Sequence, residues 1–183
     1  VIKKWNARDK YKPSYYLGNT NRCYYYSQTD SIVAHQYLAL TAEDQSRVHP
    51  FLCGFNPTDK NCVNHIKRMF DWYPEVWEGI GELLLHRAQL SMLTNGEQAR
   101  ANHPALHSVY ELAAGKNIPV QIHSDMGVAS NREPIYLYEM EEAIKNAPAT
   151  RFIWCHAGYN RGLVVPTAAE EIRRMIATYP NIW

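Results

Sequence analysis

Pro119-Val120-Gln121-Ile122-His123 and Phe152-Ile153-Trp154-Cys155-His156 decide the reading of this chain. Each is a short apolar run of strand length that closes on a histidine. Each is followed by a longer amphipathic stretch. The first of these runs from about Pro134 to Asn146. The second runs from Pro166 to Tyr179, with Ala168, Ile172, Met175, Ile176 and Tyr179 in helical register.

The same rhythm extends outward in both directions. Val48 to Phe55 reads as a buried strand, stopped by the turn signal Asn56-Pro57-Thr58-Asp59. Lys60 to Trp72 reads as a helix with Val63, Ile66, Met69 and Phe70 on one face and Asp59 as its N-cap. Val76 to Leu85 is the next strand. A loop marked by Asn95-Gly96 follows, and then a helix from Pro104 to Gly115. Asn181-Ile182-Trp183 looks like a further strand beginning. Upstream, Arg22 to Ser27 reads as one more strand, and Thr29 and Asp30 as caps of a helix over Ser31 to Leu40. Strand starts at 48, 76, 118, 151 and 181 are 28, 42, 33 and 30 residues apart, a spacing that suits consecutive βα units in a parallel sheet. Eight units at that spacing need about 266 residues. The 183 residues present fit about five to six parallel βα units. The expected fold is therefore α/β, an incomplete (β/α)8 TIM barrel forming a single partial domain over residues 1–183, with no firm structure assigned to residues 1–40.

Composition narrows the function. Hydrophobic residues make up 46% of the chain, too many for a disordered segment. Basic residues number 19 and acidic residues 18, so no charge excess calls for nucleic acid or an anionic membrane. No apolar run approaches membrane-spanning length. Cys23, Cys53, Cys62 and Cys155 are scattered, which suits free thiols in a reducing, cytoplasmic setting. The chain opens on Val1, so its natural start is expected upstream. Thirteen tyrosines are present, and the seven between Tyr11 and Tyr37 are read as filling an irregular, half-buried surface.

Polar side chains at the C-terminal ends of parallel strands carry the chemistry of such folds. Three stand at the ends of consecutive strands: Glu82 after Gly79-Ile80-Gly81, then His123, then His156. Imidazole and carboxylate are ligands for zinc and similar ions. Their convergence would make a metal site, with zinc the leading candidate. By simple alternation Gln121 should share a face with His123, and Phe152 and Trp154 with His156. His86 is placed in the loop beyond the second strand, at the pocket rim or on the surface. Asp125 either orients His123, binds substrate or makes a turn. Arg161 either holds an anionic substrate group or sits on the surface. His103 and His107 are read as the cap and exposed face of a helix. His35, His49 and His65 receive no role.

At these strand ends the sequence resembles the metal-dependent hydrolases of the amidohydrolase superfamily, in particular the amidohydrolase-2 branch of hydrolases and related decarboxylases on a (β/α)8 barrel. The resemblance rests on Pro50 to Asp59, Gly79-Ile80-Gly81-Glu82, Pro119 to Asp125, Phe152 to Gly158 and Tyr179 to Trp183, and covers residues 48–183. It implies that His123 is a metal ligand. It implies that His156 is a ligand or a catalytic residue beside the metal, and that Glu82 matches an acidic position on the fourth strand. Two departures stand out. The first-strand His-x-His pair of that family is absent from this sequence, and the chain stops before an eighth-strand Asp.

The resemblance implies an enzyme that uses metal-activated water on a carbonyl-containing small molecule. A decarboxylase of the same fold and a non-catalytic fragment are the alternatives. Because the family's opposing ligands lie on strands missing here, the 183 residues alone are expected to hold metal weakly or not at all. An open barrel should also expose apolar edges and favour self-association into a homo-oligomer.

Overall fold

The computed structural model describes residues 28–86, 98–159 and 162–183. Four strands form one parallel sheet in sequential order: β1 (Phe51–Leu52), β2 (Gly79–Leu84), β3 (Pro119–His123) and β4 (Arg151–Trp154). Beside β4, Ile182 bridges Phe152 in the parallel sense. The Phe152 and Trp154 N–H groups donate to the Asn181 and Trp183 carbonyls, so the ladder continues into a fifth position, as the final three residues led us to expect. Helices alternate with the strands: α1 (Thr29–Leu38), α2 (Ala42–Gln45), α3 (Cys62–Trp72), α4 (His107–Gly115), α5 (Leu137–Asn146) and α6 (Ala168–Thr178). The strand expected over 22–27, most of the tyrosine cluster and Asn95-Gly96 lie outside the described residues. Among the described residues no helix is long and apolar enough to cross a membrane.

The register separates the sheet into two faces. Val120 pairs with Phe152 and Ile122 with Trp154, while Gln121 pairs with Ile153. Val120, Ile122, Phe152 and Trp154 share the buried face and pack in one cluster with Ile66 and Met69 of α3, Val109 and Tyr110 of α4, Met140 and Ile144 of α5 and Met175 of α6. Gln121 and His123 lie on the other face. This corrects the placement of Phe152 and Trp154 beside His156. Strand alternation stops at Trp154, and a 3₁₀ turn over Cys155–Gly158 follows, with His156 (φ 56°, ψ 14°) and Ala157 (φ 49°, ψ 38°) left-handed. Parity counted through that turn does not predict where His156 points.

Two caps also differ from expectation. α3 begins at Cys62 with Asn61 as its N-cap, while the Asp59 carboxylate accepts from the Asn61 N–H at 2.8 Å, one turn earlier. Asp30 does not cap α1 but lies within it, buried. Its carboxylate accepts from the Cys53 and Gly54 N–H groups at 3.0 and 2.9 Å and meets His65 Nε2 at 2.8 Å. Two strand-exit amides and an imidazole offer a buried carboxylate more than one helix end could. They tie α1 and α3 to the exit of β1.

Phe152 is fully buried and meets Tyr110 edge-on at 5.0 Å. Phe152→Ala should therefore cost about 3–5 kcal/mol of stability, read as a lower midpoint in urea denaturation.

Candidate metal centre

The β2–β3 ladder steps from Ile80–Val120 to Leu83–Ile122. Three residues of β2 thus span two of β3, so Gly81 and Glu82 both oppose Gln121. Such a bulge re-aims the extra side chain. Here it directs Glu82 across to the imidazole at the end of β3. Gly81 has φ 130°, and a Cβ there would lie 2.8 Å from Gln121 Cβ and closer still to its carbonyl oxygen, so the bulge needs glycine at this point.

Glu82 Oε1 lies 2.7 Å from His123 Nδ1 and 3.7 Å from His156 Nε2. The two imidazoles meet edge-on with centroids 5.1 Å apart. One donor atom from each of the three residues falls within 4.8 Å of the others. Two ligand atoms on one tetrahedral zinc sit roughly 3.3 Å apart. The two Glu82 separations bracket that value, so the donor set fits a divalent ion with small side-chain adjustment. His156 is 61% exposed and has room to make it, whereas His123 is 5% exposed and held on both sides.

The second nitrogen of His123, Nε2, lies 3.2 Å from the buried Asp125 Oδ1. Asp125 thus faces the ring of His123 rather than solvent. A carboxylate on the far nitrogen of a ligand histidine fixes its tautomer and its aim. Asp125 foremost, and then Glu82, hold the His123 imidazolium form against the opposing effect of burial, so its pKa is raised. Cys155 follows Trp154 directly after β4. Burial, reinforced by the Glu82 carboxylate, pushes its thiol up to about 11 and keeps it protonated at neutral pH.

The structure places the remaining candidates elsewhere. His86 directly follows the strand and is buried, not on a rim. Its ring stacks on Tyr136 at 3.8 Å and faces Glu139 at 2.8 Å. Arg161 lies outside the described residues. His103 Nδ1 accepts from the Ala105 N–H and caps the turn over Pro104–Leu106. Sequence reasoning missed Asp30 and Glu139. Glu139 stands four residues before Ala143 on the apolar stripe of α5, and that position was the available signal.

An amidohydrolase family model matches residues 33–183, and the chain belongs to that family. No curated protein and no solved structure matches it.

The raised His123 pKa fixes a pH dependence in the metal-free protein. Protonated His123 stabilises the fold fully below the unfolded value of about 6.5, and this contribution is lost as pH rises through the folded pKa. Denaturation in chelator between about pH 5 and pH 9 should show that decline, and His123→Gln should flatten it. Metal uptake should run the other way and strengthen as pH rises, because the ligand nitrogen must shed its proton.

Proposed function

We propose that this chain carries the catalytic strand ends of a (β/α)8 metal-dependent hydrolase acting on a carbonyl-containing small molecule. Family membership over residues 33–183 supports the barrel and the reaction class. The observation that carries the reading is the convergence of Glu82, His123 and His156 donor atoms within 4.8 Å at neighbouring strand ends. Zinc is the ion that a Glu/His/His set suits best. When bound, such an ion polarises a carbonyl and lowers the pKa of a water molecule to about 7.

The roles of the side chains follow from their surroundings. His123, buried between two carboxylates, is the fixed ligand, and Asp125 holds its ring. Glu82, brought over by the bulge, is the anionic ligand. It offsets part of the ion's charge. His156 is the exposed member and is reached from solvent. It is either the third ligand through Nε2 or, left unligated beside the ion, the group that accepts a proton there from an attacking water and returns it to the leaving group, since one nitrogen cannot do both.

On this reading, and against the weak or absent binding expected of these 183 residues from the sequence, zinc titrated calorimetrically into the metal-free protein near neutral pH should show one saturable site. His123→Ala should weaken it at least tenfold, and His156→Ala should weaken it less. Absence of saturable uptake in the unaltered protein would overturn the reading.

A further inference from the structure

We infer that Glu139 and His86 are positioning residues for the metal centre, holding the Asp125 carboxylate against His123 from the far side of the strand end. The inference rests on the metal-site reading of Glu82, His123 and His156 and adds two residues that touch none of those three among the described contacts.

The path runs through short contacts. Beyond β2 and β3 the ladder continues: the Leu85 N–H donates to the His123 carbonyl at 2.9 Å, and the Asp125 N–H donates to the His86 carbonyl at 2.7 Å. The position of the Asp125 backbone is therefore tied to that of His86. Asp125 Oδ1 in turn lies 3.2 Å from His123 Nε2. A shift of His86 would be passed to the carboxylate that aims the ligand ring.

His86 is gripped on three sides. Tyr136 lies flat on its ring at 3.8 Å with an interplanar angle of 9°. Gln98 Nε2 donates to Nδ1 at 3.0 Å, which leaves the ring hydrogen on Nε2. Glu139 Oε2 faces Nε2 at 2.8 Å, within ion-pair range though not aligned as a hydrogen bond. Tyr136 is itself tied down, its N–H donating to the Met126 carbonyl at 2.9 Å. The residue just before α5 thus ties down the Met126 end of the 124–126 segment.

The chemistry is expensive for a purely structural prop. The side chains of Glu139 and His86 are 2% and 6% exposed, and removing a carboxylate from water costs several kcal/mol unless it is well compensated. An apolar pair would fill the same space at less cost. A carboxylate facing the imidazole Nε2–H at 2.8 Å favours one placement of the ring over others, which is what a ring two contacts away requires.

The test uses the full chain with Glu139→Ala, Asp125→Asn and the double variant, and Met140→Ala as a buried neighbour on the same helix. Two quantities are read: zinc affinity by calorimetry, and the His123 ring-nitrogen resonances in the metal-free protein. Glu139→Ala should weaken zinc about tenfold and move the His123 resonances in the same direction as Asp125→Asn. The double variant should bind zinc no more weakly than Asp125→Asn alone, because the two act in series. Met140→Ala should lower the melting temperature and change neither quantity. Should Glu139→Ala not fold, Glu139→Gln keeps the shape, removes the charge and is held to the same outcomes. Additive losses, unmoved His123 resonances, or an equal effect from Met140→Ala would overturn the inference. If the unaltered protein takes up no zinc, the metal-site reading fails, and the His123 resonances still decide whether Glu139 acts through Asp125.

Discussion

Everything at the candidate site depends on the parallel ladder that runs from β1 through β4 to the residues at 181–183. A parallel sheet built from successive βα units must bring every strand to its carboxyl end on the same edge. Three chemically able side chains, separated by tens of residues in sequence, are thereby brought to one edge before any specific contact forms between them. The ladder alone brings the side chains near each other. Two local departures from it, the β2 bulge and the left-handed turn after β4, bring them into register with one another.

That division explains what could be read from the sequence. The strands announce themselves because a parallel strand is apolar on both faces, and runs such as Phe152 to Trp154 show it plainly. The helices do so through their apolar stripes, and most boundaries fall within a few residues of expectation. Glu82, His123 and His156 could be singled out because polar residues closing apolar runs are conspicuous. The departures were not legible. Gly81 is the one hint of a bulge, and Gly79, which sits in regular pairing two residues earlier, blurs it. Cys155-His156-Ala157 contains no glycine at the two left-handed positions, so the turn that swings His156 leaves no local signature. Asp30 reads as a helix cap, and Glu139 drew no reading although it lies on the apolar stripe of α5; only tertiary contact reveals which groups the two carboxylates meet.

Proton and metal make opposed demands on His123. Two carboxylates flank its ring, an arrangement that favours the imidazolium when no ion is present. The same two carboxylates suit a bound ion, one as fellow ligand and the other as acceptor for the remaining ring hydrogen. The site is therefore electrostatically prepared for a positive charge, and the proton and the ion are alternatives for meeting that need. His156, more exposed and less constrained, carries the adaptability that such an exchange requires.

The Trp154 indole adds a brace outside the ladder. Its Nε1–H donates to the Ser124 carbonyl at 2.9 Å, and Gly158, with φ 70°, lets the chain pass over the ring where any side chain would collide with it. This strut links the segment after β3 to the strand that precedes the His156 turn. Separating the two strand ends that carry the imidazoles means breaking it in the buried interior. The spacing of the histidines is therefore a property of the scaffold rather than of the segments above it. Descendants of this chain are free to diversify those segments, and with them the molecules they admit, while inheriting an unchanged pair of imidazoles.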